Sequence, residues 1–227
     1  MMRFLKEKFG QKRKKAETLL EVIMAIFVVA LGSAAATSLI IDALTSNGLN
    51  RDNLIAMNLA VEGTEAVRNI RDGNWLKFGY DKENCWNMQA DFNTCQDEDL
   101  IAQGNFTAYL DTVTMKWSLS QQSGNALDLN NAIGNDPYRL DFIDLYSAID
   151  GDGDNNSTND RDLYVPSGTS GTVSQSRFYR MVTIAYPTPD PTVDQEMTVT
   201  SLVQWKARGV HQVKLVTKLT NYNKVKR

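Results

Sequence analysis

An acidic segment of alternating aspartate and glycine is the part of the chain whose residue types point most directly to ligand chemistry. Residues 150–162 read DGDGDNNSTNDRD. Carboxylates at the first, third and fifth positions converge hard oxygen atoms on one point, as at the start of calcium-binding loops. The twelfth position is Arg161 rather than glutamate, so the segment is not an EF-hand. The candidate calcium ligands are Asp150, Asp152, Asp154, Asn156, Asp160 and Asp162.

The alternative interpretation of this segment is a solvated acidic loop without an ion. Five carboxylates within 13 residues repel one another unless a cation screens or binds them, which favours calcium. The sequence requires no other cofactor.

The two cysteines, Cys85 and Cys95, predict a disulfide. Both follow an apolar segment long enough to cross a membrane, so they should face an oxidising compartment. A bridge over so short a loop would contribute about 2–3 kcal/mol to stability. A metal pair is the alternative, but the chain has no further cysteine, and its single histidine, His211, is far away in sequence.

No set of residues with the spacing of a catalytic site stands out. The chain has no G-x-S-x-G segment, no phosphate-binding loop and no zinc spacing. His211 falls in a strand pattern, where a packed or solvated histidine is the ordinary interpretation. We therefore expect a protein that is not an enzyme.

The N-terminal segment combines a basic block with a long apolar run. Residues 11–42 read QKRKKAETLLEVIMAIFVVALGSAAATSLIID, in which a basic block and the small residue Ala16 precede an apolar run that holds one acid, Glu21. The 20 residues 22–41 would span about 30 Å as a helix, the thickness of a bilayer core. Residues 1–16 carry seven bases and one acid, which predicts that they stay in the cytoplasm.

Two simpler interpretations of this segment are a plain membrane anchor and a secretory signal peptide. A signal peptide has an apolar stretch of about 7–15 residues followed by a small-residue cleavage site. Residues 32–36, GSAAA, could mimic such a site, but the apolar run is longer than that pattern requires.

The series Lys14-Lys15-Ala16, then Glu17-Thr18-Leu19-Leu20-Glu21-Val22, resembles the prepilin motif of type IV pilins and type II secretion pseudopilins. The resemblance implies cleavage between Ala16 and Glu17 by a prepilin peptidase/methyltransferase, and N-methylation of Glu17. Two positions depart from the usual motif, since Ala16 replaces glycine and Glu17 replaces phenylalanine or methionine. The second departure makes methylation a weaker expectation than cleavage.

In that family the fifth mature residue is a glutamate, which Glu21 matches. The resemblance implies that Glu21 pairs with the N-terminal amine of a neighbouring subunit. An unpaired charge in an apolar bundle is costly, so such a pair would disfavour wrong registers. The alternative is that Glu21 lies at the depth of the lipid headgroups and needs no partner.

The net charge bears on the class of partner. Without residues 1–16, 17 bases and 26 acids remain, a net charge of −9. An acidic chain is a poor nucleic-acid binder, because phosphate binding needs a basic surface. We expect no strong nucleic-acid binding.

Beyond residue 42 the pattern predicts an α+β fold. Apolar residues spaced by three and four over 43–72 predict that the helix continues, with Gly48 and Gly63 each weakening it by about 1 kcal/mol and an end near Asp72-Gly73. Period-2 patterns then predict an antiparallel sheet, including a hairpin that turns at Arg208-Gly209. The predicted strand regions are residues 106–119, 138–146, 177–186, 197–205 and 210–220.

The sequence pattern and the prepilin resemblance together imply three parts: a leader (residues 1–16) that the resemblance implies is removed, a long helix (17–72) with a transmembrane part (22–41), and a globular head (73–227). Residues 58–76 and the C-terminal pattern W-x3-G-x-H-x-V-x-L-x-T-x-L-T-N-Y also resemble minor pilins of the PilV-like kind. The implied fold is type IV pilin-like, a long N-terminal α-helix packed on a C-terminal antiparallel sheet.

The resemblance implies a structural minor pilin of a type IV pilus. Its partners would be other pilins and the inner-membrane assembly platform, and it would pass from a single-pass state in the cytoplasmic membrane to a pilus at the cell surface. The alternatives are a pseudopilin of a type II-like secretion system, or an adhesin or ligand-binding module on a pilin-type anchor.

Overall fold

The computed structural model describes residues 3–89, 94–96, 99–111, 114–124, 126–131, 135–144, 162–166 and 173–221. One long helix precedes an antiparallel sheet, so the predicted α+β architecture is confirmed. The elements are α1 (Arg3–Lys77), β1 (Gly104–Asp111), β2 (Lys116–Gln122), β3 (Arg139–Asp144), β4 (Asp162–Pro166), β5 (Val173–Ala185), β6 (Glu196–Lys206) and β7 (Val210–Thr220), with a short 3-10 turn at Asp136–Tyr138. The chain divides into two compact units, Met1–Asp52 and Asn53–Arg227.

Strand β5 is the centre of the seven-stranded sheet. One of its edges pairs with β6 from Phe178 to Ala185. The other edge is shared, because β1 pairs with its C-terminal end and β3 with its N-terminal end. Strand β2 extends the sheet beyond β1, β4 beyond β3, and β7 beyond β6.

The C-terminal hairpin confirms the period-2 prediction. Strands β6 and β7 pair without interruption from Glu196 opposite Thr220 to Lys206 opposite Val210. Arg208, with φ of 55°, takes the left-handed position in the turn. The apolar stretch 106–119 is two strands rather than one, since the chain reverses between β1 and β2 where Met115 also has φ of 55°. The sequence pattern does not predict β4.

Helix α1 ends at Lys77, five residues beyond the predicted end. Asn74 does not cap the helix there, because its amide nitrogen donates to the carbonyl oxygens of Met88 (2.7 Å) and Trp86 (3.4 Å). Trp75 packs against the core and Phe78 is buried. Burying Phe78 and packing the half-buried Trp75 outweigh the roughly 1 kcal/mol that Gly73 costs the helix.

Within the second unit, the helix buries a face of small and aliphatic side chains against the sheet. Ala66, Val67 and Ile70 join the larger group of buried residues, which we call the main core. The sheet and the segments before it supply the rest: Trp86, Ile101, Phe106, Ala108, Val182, Ile184, Tyr186, Met197, Val199 and Leu219. A second cluster lies further toward the N-terminal end of the same face, where Ala56, Leu59 and Ala60 meet Leu140, Phe178, Val203 and Trp205.

The predicted disulfide between Cys85 and Cys95 is present. Cys85 is fully buried with Phe78, Met88 and Leu100 in a third small cluster. The disulfide therefore closes a loop between α1 and β1 over apolar side chains. In the same segment, Met88 and Leu100 form an isolated antiparallel β-bridge.

Gly63 is where the helix approaches the sheet most closely among the glycines described. A Cβ at this position would lie 2.5 Å from Ser201 Oγ and 3.2 Å from Arg180 Cδ. The sequence pattern marks Gly63 as a weak point of the helix, whereas the structure shows a residue without which α1 could not lie at this distance from β5 and β6.

Replacing Gly63 by alanine should lower the free energy of unfolding by up to about 2 kcal/mol. The overpacking cost of about 1–3 kcal/mol exceeds the roughly 1 kcal/mol that alanine gains as a helix former. Urea unfolding of the detergent-solubilised chain, followed by tryptophan fluorescence, would measure it, since all four tryptophans lie between residues 75 and 205.

Gly73→Ala is the matched control for this prediction. A Cβ at Gly73 would meet nothing within 4 Å, so alanine there should stabilise the protein by up to about 1 kcal/mol. Adding Ser201→Ala should recover part of the loss in Gly63→Ala. Equal stabilisation by both alanines would contradict the close approach.

Tyr186 joins three parts of the main core through its hydroxyl group. The hydroxyl donates to the Ile101 carbonyl oxygen (2.8 Å) and accepts from the amide nitrogen of Asn87 (3.3 Å). Burial is the principal reason that the pKa of Tyr186 rises from 10.0 to about 12. The proton is thus held more tightly in the folded state than in the unfolded state.

Stability should therefore fall between pH 10 and pH 12. Below pH 10 both states keep the proton, and above it the unfolded chain loses the proton first, so unfolding becomes easier until the folded pKa is passed. The expected loss is about 2–3 kcal/mol. Because other groups also titrate in this range, the measurement is the difference in pH-dependent unfolding between the wild type and Tyr186→Phe. Identical pH profiles would contradict the prediction.

Candidate membrane and assembly segment

The first unit of the chain presents a long series of exposed apolar side chains. From Leu19 to Ile41 the large apolar side chains are 54–70% exposed. They are Leu19, Leu20, Val22, Ile23, Met24, Ile26, Phe27, Val28, Val29, Leu31, Leu39, Ile40 and Ile41. Soluble proteins rarely expose so large a contiguous apolar surface, and this exposure is compatible with a membrane anchor.

Among the described residues one helix is long and apolar enough to cross a membrane, and it contains this segment. Three of its hydroxyl groups bond to carbonyl oxygens of the same helix. Ser33 donates to the Ala30 carbonyl, Thr37 to the Ser33 carbonyl, and Thr45 to the Ile41 carbonyl, each at 2.9 Å. Internal pairing of this kind removes the cost of polar groups in hydrocarbon.

The residues predicted to act in processing and assembly all lie on α1. The chain is helical through Ala16, Glu17 and Glu21. Glu17 and Glu21 are four residues apart, so they share a helix face about 6 Å apart along its axis. The side chain of Glu21 is exposed, at the edge of the apolar surface. Among the described residues, no recorded ion pair includes Glu21.

The predicted calcium ligands lie almost entirely outside the described residues. Asp150, Asp152, Asp154, Asn156 and Asp160 fall in the gap between β3 and β4, and Asp162 is described only as the first backbone position of β4. Among the side chains that are described, no group of three metal-ligating residues occurs. The calcium site stays a prediction.

Sequence reasoning missed the residue that ties the helix to the sheet, Arg180. Its guanidinium is buried and donates to Glu62 Oε1 (2.9 Å), the Leu59 carbonyl (3.3 Å) and the Ala108 carbonyl (2.8 Å). One side chain on β5 thus contacts α1 and β1 together. A signal existed in the sequence, because Arg180 shares the inward phase of the strand with Phe178 and Val182.

Sequence reasoning also missed a cleft beside the C-terminal end of α1. It is lined by residues of α1 and by Lys116 and Trp117 of β2. The sequence gives little signal for it, since the two sets of residues are some 40 positions apart and the helix was expected to end before Lys77.

Comparisons with known proteins give no relative from which to transfer a role. No protein-family model, no curated protein and no solved structure matches this chain.

Proposed function

We propose that the chain is a minor pilin, a structural subunit of a type IV pilus. In this proposal the chain is inserted as a single-pass membrane protein with its N-terminus in the cytoplasm, and a prepilin peptidase cuts it between Ala16 and Glu17. The inner-membrane assembly platform then moves the mature subunit into a filament of other pilins at the cell surface.

The observation that carries the proposal is the exposed apolar part of α1 in the same helix that supports the folded second unit. The apolar side chains between Leu19 and Ile41 need a cover, which a membrane supplies before assembly and neighbouring helices supply afterwards. A secretory signal peptide would be discarded, and the second unit would then stand alone. Cleavage before Glu17 keeps the apolar segment attached.

Mass spectrometry of the mature N-terminus tests the proposal directly. The chain should be expressed in a cell that has prepilin peptidase and recovered from its membrane fraction. We expect a first residue of Glu17, carrying one methyl group where the methyltransferase acts on it. Ala16→Leu is the matched control, since a bulky residue before the cut should leave the leader attached. A wild-type chain that starts at Met1 or near Ala36 would overturn the proposal.

A further inference from the structure

The edge of the sheet formed by β7 is long and uninterrupted. In the part of the chain that the structure describes, the strands β2, β4 and β7 have one hydrogen-bonded neighbour each. Strands β2 and β4 hold seven and five residues, and β4 ends at Pro166. Strand β7 holds 11 residues without proline or glycine, and it pairs with β6 in one continuous register. A long edge without such interruptions is the kind that accepts a further strand.

Two hydrogen bonds at the ends of the hairpin show which residues of β7 face this edge. The Asn221 amide donates to the Gln195 carbonyl, and the Ala207 amide donates to the Gly209 carbonyl, each at 2.8 Å. Both pairs continue the β6–β7 register, in which hydrogen-bonded and non-hydrogen-bonded pairs alternate. The odd-numbered residues of β7 therefore bond to β6. The even-numbered residues direct their backbone N–H and C=O groups to the edge.

The exposed side chains of β7 belong to these same even-numbered residues: Gln212, Lys214, Val216, Lys218 and Thr220. We call them the outer row. Val213 and Leu215 lie on the other face, where they pack against the cluster around Trp205. A strand added to this edge would therefore place every second side chain beside the outer row, in contact with solvent.

The charge of the β7 edge is opposite to that of the chain as a whole. Residues 197–221 hold four bases and no acid, although the whole chain has a net charge of −3. Two of the bases, Lys214 and Lys218, stand four residues apart in the outer row. The Lys218 ammonium donates to Glu196 (3.1 Å), but these side chains are 64% and 39% exposed, so water screens the pair. The outer row therefore favours acidic side chains on a neighbouring strand, whereas a second copy of β7 would bring more lysines to it.

We propose that the β7 edge binds an extended acidic segment of another protein, which joins the sheet as a further antiparallel strand. The backbone of the segment would bond to the even-numbered residues of β7. Two of its carboxylates, four residues apart, would face Lys214 and Lys218, and an apolar residue midway between them would face Val216. Because the whole edge lies in the second unit of the chain, this interaction depends neither on leader cleavage nor on filament assembly.

The test uses the full chain in detergent micelles and a fluorophore-labelled peptide, acetyl-TTETVVEVT-amide, whose glutamates match the spacing of the two lysines. We expect saturable binding in fluorescence anisotropy, with empty micelles as the blank. The peptide acetyl-TTQTVVQVT-amide should bind about fivefold more weakly, the factor that one cross-strand ion pair supplies. Equal binding of the two peptides, or no saturable binding of either, would overturn the proposal.

Hydrogen exchange shows whether the peptide joins the sheet. At a peptide concentration of about ten times Kd, the backbone amides of Gln212, Lys214, Val216 and Lys218 should exchange about tenfold more slowly, since only the free chain exchanges. NMR measures these rates residue by residue. Saturable binding that leaves the four rates unchanged would place the peptide elsewhere and overturn the proposal.

A proline on either side of the interface separates backbone pairing from charge attraction. The Val216 N–H faces the edge, so Val216→Pro removes no bond to β6, and proline is tolerated at such positions of edge strands. Binding should fall at least about tenfold, which corresponds to the loss of one to two hydrogen bonds. The peptide acetyl-TTETPVEVT-amide makes the matching change without altering the chain, so it gives the same test if Val216→Pro does not fold. Unchanged binding of this peptide would contradict strand addition.

Charge reversal at one lysine provides the matched pair of chain variants. Lys214→Glu should weaken binding of the glutamate peptide at least about fivefold, whereas Lys116→Glu, the same change on β2, should not. Equal effects of the two variants would overturn the site. If the chain alone forms dimers that Val216→Pro dissociates, the occupant of the edge is a second copy, and the proposal of an acidic partner is wrong.

Discussion

Replacing Glu62 by glutamine should lower the free energy of unfolding by about 2–3 kcal/mol, a large effect for a change of one charge. Glu62 Oε1 accepts a hydrogen bond at 2.9 Å from Arg180, whose guanidinium is 1% exposed. Removing the carboxylate charge leaves that guanidinium buried without a counter-charge. Because the Glu62 side chain is itself 30% exposed, the loss should fall below the 3–5 kcal/mol typical of a fully buried pair.

Removing the arginine instead of the glutamate should lower the free energy of unfolding by a smaller amount. Arg180→Met leaves Glu62 able to turn its carboxylate to water, and the main loss is the donor to the Ala108 carbonyl. In the double variant Glu62→Gln/Arg180→Met, no buried charge remains. We therefore expect the double variant to lose less free energy of unfolding than the sum of the two single losses.

Glu65→Gln is the matched control, one turn further along the same helix. Glu65 pairs with Arg68, and both side chains are well exposed, 49% and 39%. Solvated pairs of this kind contribute about 0–1 kcal/mol. Urea unfolding of the four variants and the wild type separates the buried pair from the solvated one. Equal losses in Glu62→Gln and Glu65→Gln would show that water screens the Arg180 pair.

The strands of the sheet show what local pattern can predict. Burial alternates along β6 up to Val203 and along most of β7, and the boundaries of both strands follow from the sequence within a residue or two. The reversal between β1 and β2 is less visible. Met115 takes a left-handed backbone conformation there without the glycine or asparagine that usually signals one.

The contact between helix and sheet depends on how closely α1 approaches β5 and β6, and this distance cannot be predicted from the sequence pattern. Gly63 has the same local cost to the helix as Gly73, yet only Gly63 lies against Ser201. Glu62 and Arg180 are 118 residues apart, so a local sequence pattern does not reveal that they pair. The strand phase places Arg180 inward, but which group satisfies it depends on the docking of α1 in three dimensions.

The two candidate sites differ in how far they can be predicted from the sequence. Residues 12–21 form a contiguous motif, so a processing and assembly segment can be inferred without any fold. The cleft at Lys116 and Trp117 exists because α1 continues past Gly73, which in turn depends on the packing of Trp75 and the burial of Phe78. A site built by tertiary packing of this kind is invisible to local pattern.

Replacing Glu21 by alanine should reduce incorporation into the filament by about 100-fold while leaving membrane insertion and cleavage intact. The side chain is exposed at the edge of the apolar segment, so in a bundle it would meet neighbouring helices rather than its own fold. In the proposed assembly it accepts the N-terminal amine of an adjacent subunit. Leaving that amine unpaired in an apolar bundle costs about 2.5–3.5 kcal/mol, which corresponds to the expected factor.

Glu17→Gln separates the specific pair from a general requirement for negative charge. Glu17 lies one turn before Glu21 on the same face of α1, so its removal changes the charge of the segment equally. Immunoblots of sheared filaments, normalised to the processed chain in membranes, measure incorporation of both variants. We expect Glu17→Gln to assemble and Glu21→Ala not to. If Glu21→Ala assembles normally, the apolar segment acts as an anchor alone, and a carboxylate at its edge needs only headgroup water. If both variants fail, the amine is held by the two carboxylates of that face together, and the register between subunits depends on the pair rather than on Glu21.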